Sequence, residues 1–464
     1  MSSAMSKQPK VAVIGLDCVP PELVFDRWRD QLPTLKRLAG EGWWGRLRSV
    51  VPPITVPAWS CMMSSRDPGE LGIYGFRNRK DHSYEGMAFA TATAVREDRV
   101  WDILGRAGKQ VVVLAVPGTY PPAPVNGCLV GCFLTPSADS DYAYPAALKQ
   151  ELTERFGPYR LDVENFRSEE KERILDQIYQ MTEQRFAMAR HLATTRPWDF
   201  FMMVEMGTDR IHHAFWKYSD PAHRLYQKGH KFEHAIRDYY RFVDEQVGGL
   251  LPLLGDDTSV FVVSDHGAQN MEGGICVNEW LTREGYLALA EPVSGPTPIG
   301  QAKLDWSRTR AWGEGGYYSR VFLNVKGREP QGVIPPGEYE VVREELRRKL
   351  EAMLDEKGRP LGTRVFKPEE VYRAVRGVPP DLIVYFGNLR WRSVGSLGLG
   401  TVHTFENDTG PDDANHSEYG IFILREPGLK NRRVEGLSLM DIAPTILDRF
   451  GITPLAGMQG KVIE

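Results

Sequence analysis

A chain of 464 residues is long enough for one large α/β domain with insertions, or for two domains. Its 42% hydrophobic and 25% charged content is that of a soluble globular protein, and a net charge of −4 with no long basic run excludes nucleic acid polymers as expected partners. The first ten residues lack the apolar core of a secretory signal, and no apolar run approaches the ~18–20 residues that cross a bilayer, so no membrane partner is expected. Five scattered cysteines (Cys18, Cys61, Cys128, Cys132, Cys276) fit a reducing compartment, which makes a cytoplasmic location the expectation.

Residues 1–10 read as a disordered lead. Residues 11–16, Val-Ala-Val-Ile-Gly-Leu, are an apolar run of the kind buried in the middle of a parallel sheet. Asp17 stands at its end, before Pro20 and Pro21, which cannot continue a strand. That carboxylate is either a cap on the following helix or a ligand at a strand end. A helix is predicted over 32–42, closed by glycine, and a strand over 44–51. Thr55 then sits in a proline-flanked segment before a helix predicted over 58–65. A hydroxyl at a helix N-terminus meets unpaired N–H groups and the positive end of the dipole. Thr55 therefore fits an N-cap and, equally, an anion site or a stabilised alkoxide.

A helix over 101–108 and a strand over 110–115 follow; Cys128 and Cys132 lack a second thiolate or His pair at zinc-finger spacing and read as small buried residues. A long half-exposed helix is predicted over 168–195, and a strand over 199–205 leads into Asp209 and His213. Four residues apart, these two share one face of a helical turn, where they form a salt bridge or grip one cation. His212 projects about 100° away on the same turn. After a helix over 231–254, the run Val260-Phe261-Val262-Val263 reads as a buried strand that delivers Asp265 and His266, with Gly267 permitting a sharp turn. Ligands of open α/β sheets gather at the carboxyl ends of strands. There the Asp–His pair reads as two metal ligands, or as a cap beside a surface imidazole.

Residues 269–317, rich in Gly, Pro and Trp, read as an insertion or lid between two parts of a core, 11–268 and 318–464. The aromatic residues from Trp306 to Tyr318 serve packing, or stack on a base or sugar. Strand–helix patterning resumes with 319–325, 339–355 and 381–385. His416 falls in a turn-rich, carboxylate-rich loop before a strand over 419–424, and alone it reads as a solvated loop histidine. A helix over 438–450 closes the chain.

Together, Asp17, Thr55, Asp209, His213, Asp265, His266 and His416 fall at strand ends or beside strands, with oxygen and nitrogen donors enough for two metal ions and one hydroxyl left as nucleophile. This order of residues resembles the alkaline phosphatase superfamily, and within it the type I phosphodiesterase/nucleotide pyrophosphatase family. The resemblance covers nearly the whole chain. It implies an α/β, alkaline-phosphatase-like fold, with a mostly parallel central sheet, helices on both faces and an inserted lid region. It further implies that Asp209, His213 and His416 hold one metal, and that Asp17, Asp265 and His266 hold the other together with Thr55. Zinc is expected for this ligand set, with manganese as the alternative. The implied reaction is hydrolysis of a small phosphodiester through a phospho-threonine at Thr55. A phosphomonoesterase or phosphonate hydrolase on the same site, and a metal- or anion-binding protein without turnover, are the alternatives. Two positions depart from the family pattern: Leu71-Gly72 stands where His-Gly is usual, and Phe76 where nucleotide pyrophosphatases carry an Asn that donates to phosphate. Arg77 and Asn78 are the neighbouring donors.

Overall fold

The computed structural model describes residues 9–464, so most of the lead expected over 1–10 lies outside the described residues. The main layer is a 10-stranded sheet. At its centre run parallel strands in the order Ser259–Val263, Val11–Leu16, Phe200–Glu205, Val111–Leu114 and Gly127–Val130. Tyr419–Arg425 joins antiparallel between Ser259–Val263 and Trp43–Arg48. Every residue of Val11–Leu16, Val111–Leu114 and Phe200–Glu205 is buried. Their unbroken apolar sequences have this cause, because a parallel strand covered on both faces has no solvent side to alternate toward. Helices Pro33–Gly40, Lys171–Thr195, Gly207–Ser219 and Ala235–Leu254 pack as one group; Thr55–Ser64, Val100–Arg106 and Ile442–Arg449 form the other.

Gly15 sets how closely the second group approaches. A Cβ there would lie 2.5 Å from the Trp59 ring and 2.8 Å from Val204 Cγ2. Only glycine lets helix Thr55–Ser64 lie against the central strand, with Trp59 within reach of the carboxylate that follows it.

A second core occupies residues 275–402, built on Val277, Leu281, Phe322, Leu346 and Val384 among others. Its four-stranded antiparallel sheet runs Ala311–Glu314, Ser319–Leu323, Leu382–Tyr385, Arg364–Phe366. A smaller sheet sets Gly273–Cys276 between Trp391–Val394 and His403–Thr404. Ser319–Leu323 and Leu382–Tyr385, which patterning alone assigns to the main core after 318, thus pair with each other in the smaller body. An apolar strand has the same period whichever sheet it joins, so its partner is not written locally.

Two further differences bear on the site. Thr55 opens its helix, Thr55–Ser64, with Ile54 as N-cap, three residues ahead of the predicted start. Pro57 is tolerated there because the first turn needs no N–H donor from it. His416 lies on a strand, Ala414–Ser417, antiparallel to Gly267–Asn270 with His416 opposite Ala268, and not in a solvated loop. Among the described residues no helix is long and apolar enough to cross a membrane.

Candidate active site

Parallel register brings Asp17, after Val11–Leu16, beside Asp265 and His266, after Ser259–Val263. All three are buried, and their potential ligand atoms lie within 4.8 Å of one another. Asp17 Oδ2 accepts a hydrogen bond from Trp59 Nε1 at 2.7 Å, and Asp265 Oδ1 accepts from the Cys18 N–H at 3.2 Å. The remaining oxygens, Asp17 Oδ1 and Asp265 Oδ2, are buried without a hydrogen-bond partner. Burial first, then neighbouring carboxylates (Asp209 for Asp17, Asp17 for Asp265), pushes both carboxyls well above their usual range. Such a cluster is costly as it stands and is relieved by a cation.

The second cluster gathers Asp209 and His213 from helix Gly207–Ser219, His416 from its strand, and Cys18. His213 Nε2 lies 3.2 Å and His416 Nε2 3.7 Å from the same oxygen, Asp209 Oδ1. The other Asp209 oxygen pairs with Arg210. Burial works against the Asp209 charge, but facing His213 and Arg210 hold its carboxyl well below the usual range.

The three imidazoles share one construction. Each donates from Nδ1: His213 to Asp412 Oδ1 at 2.7 Å and Ala414 O at 3.1 Å, His266 to Gly267 O at 3.2 Å, His416 to Pro53 O at 2.8 Å. Those acceptors orient each ring and turn its Nε2 into the cluster, where a metal would displace any proton held there. His416 Nε2 is buried with no hydrogen-bond partner. Burial lowers His266 to about 4 and holds His416 well below the usual imidazole range, whereas at His213 the charges of Asp412 and Asp209 outweigh burial and raise it to about 9. Unpaired carboxylate oxygens and oriented imidazole nitrogens make both clusters fit a divalent cation.

Thr55 joins the first cluster. Its Oγ1 lies 3.3 Å from His266 Nε2, at the N-terminus of helix Thr55–Ser64. It opens onto a cavity of about 320 Å³ that is also lined by Phe76, Arg77 and Tyr317. Phe76 stands edge-on to Phe133 at 6.0 Å. Asn78 is committed to the backbone, accepting from Tyr74 N–H and donating to Gly75 O. Arg77 is therefore the donor at this end that faces the cavity. Tyr317 stacks on His416 at 4.1 Å and on His213 at 4.8 Å, while Trp306 stacks on Tyr84 in the second core. His212 stays out of both clusters, its Nε2 3.0 Å from Tyr240 Oη.

The family model for type I phosphodiesterase / nucleotide pyrophosphatase matches residues 11–412. The chain belongs to that family. Three solved structures share its fold at low identity. Murine ectonucleotide pyrophosphatase/phosphodiesterase 5 is 14% identical, with a TM-score of 0.57 over 96% of each chain. An inactive threonine-to-alanine variant of the same murine protein, in complex with AMP, is 14% identical, with a TM-score of 0.58 over 97% of this chain and 96% of that one. The human protein 5 is 15% identical, with a TM-score of 0.54 over 96% of each. The fold is thus α/β and alkaline-phosphatase-like, and the chain is a member of the alkaline phosphatase superfamily. No curated protein matches the chain.

Several residues of this phosphodiesterase-family site carry no local signal. Asp412, which orients His213, is one carboxylate in an acidic run; its acceptor role depends on a helix 199 positions away. Trp59 reads as a packing residue until Gly15 brings it to Asp17. Cys18 is set in the cluster by a left-handed backbone, φ 63°.

Asp413, next along the same run, is buried 3.7 Å from Lys217 Nζ. Burial outweighs the nearby lysines and raises its carboxyl to about 7. Its folded value thus exceeds the ordinary ~3.9 of an unfolded chain. The associated stability is complete below about pH 4 and is lost as pH rises through about 7. Asp413→Asn is expected to remove a slope of about 1.4 kcal/mol per pH unit between about pH 5 and 7. Urea midpoints across that window test this, and parallel profiles for the two proteins would refute it.

Proposed function

We propose that the protein is a two-metal phosphodiesterase that acts on small, nucleotide-like diesters with Thr55 as nucleophile. The observation that carries this reading is the Thr55 hydroxyl, 3.3 Å from His266 Nε2 at a helix N-terminus, beside paired clusters of unsatisfied ligands. Asp209, His213 and His416 would hold one cation, and Asp17, Asp265 and His266 with Thr55 the other. Cations held there, read as zinc from the mixed nitrogen and oxygen donors, would lower the pKa of the Thr55 hydroxyl and offset phosphate charge. Thr55 Oγ1 attacks phosphorus as the ester oxygen opposite it departs, which forms a phospho-threonine. Water then attacks the same phosphorus, releasing the phosphorylated product and restoring the hydroxyl. The helix N-terminus contributes unpaired N–H groups toward the anion. The murine relative's inactive threonine-to-alanine variant and its AMP complex support the nucleophile and the substrate class. In this reading the lid expected over 269–317 belongs to a larger cap, the second core of 275–402. Five free, buried cysteines support a cytoplasmic setting.

Hydrolysis by zinc-reconstituted protein of bis-p-nitrophenyl phosphate, compared with p-nitrophenyl phosphate, tests the proposal. A higher kcat/KM for the diester is expected. A monoester preference would replace this reading with a phosphatase, and failure to turn over either with metal bound would favour a binding role.

A further inference from the structure

Five arginines line the cavity at Thr55: Arg77, Arg167, Arg210, Arg320 and Arg392. Most are committed. Arg210 forks onto Asp162 and also meets Asp209. Arg167 donates to Asp412 Oδ2 at 2.9 Å and to Tyr317 Oη. Arg320 donates to the Arg77 carbonyl. Arg392, on strand Trp391–Val394 of the second core, differs. It is 4% exposed, and neither its Nε nor its Nη1 has a hydrogen-bond partner.

Its nearest carboxylate is Asp412 Oδ2, 3.6 Å from Nη1, beyond hydrogen-bond range. Asp412 is already spent: Oδ1 takes His213, and Oδ2 takes Arg167 and, at 3.3 Å, Tyr317. The other carboxylates lining the cavity are Asp209 and Glu314. Asp209 faces the histidines and Arg210. Among the described residues Glu314 makes no ion pair with Arg392. A buried guanidinium with unmade hydrogen bonds is costly, and neither the long pairing with Asp412 nor the Tyr317 ring 5.7 Å away satisfies those donors. An anion delivered by a ligand would satisfy it, as a planar donor fork suits a carboxylate or phosphate.

We propose that Arg392 receives a second anionic group of the substrate, a phosphate or a carboxylate, set apart from the phosphorus that Thr55 attacks. The inference rests on the Thr55 reading for which phosphorus reacts, and it narrows the substrates to diesters that carry an additional negative charge.

The kinetic test compares bis-p-nitrophenyl phosphate with p-nitrophenyl diesters whose other aryl ring bears a 3-carboxylate or a 3-phosphate. Wild type should prefer one of the charged pair, and which one identifies the anion. In Arg392→Gln the ratio of kcat/KM, charged over uncharged, should fall about 10–100-fold, with Arg392→Lys intermediate. An equal fall for all three substrates would overturn the proposal. Binding supplies a readout free of turnover: AMP and ADP are titrated into metal-loaded Thr55→Ala protein, with and without Arg392→Gln. ADP should bind tighter than AMP only when Arg392 is present; no difference in either background overturns a phosphate subsite. If wild type turns over none of the diesters, the Thr55 reading fails while the titration still decides the subsite. Melting of the ligand-free proteins guards against misfolding. Arg392→Gln should melt no lower than wild type, since it removes an unsatisfied buried charge; a much lower melting temperature would mark Arg392 as structural and overturn the inference.

Discussion

Thr55→Ala is expected to lower kcat for diester hydrolysis by at least about 10³-fold while the protein keeps its fold and binds metal. The substitution deletes one hydroxyl and leaves Asp17, Asp265 and His266 in place, with Asp17 still tied to Trp59 and Asp265 to the Cys18 N–H. The helix should tolerate the change, because the N-cap is Ile54, not Thr55, and alanine is a strong helix former. Rate and metal content therefore part company, and that separation is the diagnostic. Single-turnover quench adds a second reading: wild type should trap phosphate on the protein, and the alanine variant should not. An alanine variant that retains more than about a tenth of the wild-type kcat would remove Thr55 from the chemistry.

The second large effect is expected at His416. Its Nε2 has no hydrogen-bond partner, its Nδ1 is held by Pro53 O, and its ring lies stacked between His266, at 3.9 Å, and Tyr317, at 4.1 Å. His416→Ala takes one of three nitrogen or carboxylate donors from the Asp209 cluster and leaves the Asp17 cluster whole. Metal analysis after dialysis should then fall from two equivalents toward one, with kcat/KM reduced by more than about 100-fold, at or beyond the upper end of what loss of a supporting partner costs. Unchanged stoichiometry would contradict the assignment of His416 as a ligand. A loss of both equivalents would mean that the clusters bind as a single unit.

How much of this was readable beforehand follows distance along the chain. Asp17, Asp265 and His266 are legible because the strand that delivers each is a contiguous apolar run, and the strand end is where parallel sheets keep their ligands. Asp209 and His213 are legible because helical spacing alone puts them on one face. His416 is not, since its strand exists only by pairing with Gly267–Asn270, and without that partner the same residues look like an acidic loop. Asp412 and Trp59 escape notice for the same reason: what each does is set by a residue far away. The extent of the second core also escapes, because Ser319–Leu323 and Leu382–Tyr385 would suit either sheet. The departure at Phe76 is visible in sequence, but the fate of Asn78 is not, because its bonds to Tyr74 and Gly75 depend on a turn that only coordinates reveal.

The hydrogen bond from His416 to Pro53 closes a loop of 363 residues. On a ribosome that emits about 5–20 residues per second, the central strands and the Asp17 cluster emerge well before this partner exists. The half-made protein is thus a latent one: it can begin to collapse around its sheet while lacking the donor that completes the second cluster. On the proposed two-metal reading, hydrolytic competence requires the chain through His416. On that reading activity is a stringent report on folding, since a chain cut before His416 loses both that side chain and strand Tyr419–Arg425, which bridges Ser259–Val263 and Trp43–Arg48 in the main sheet.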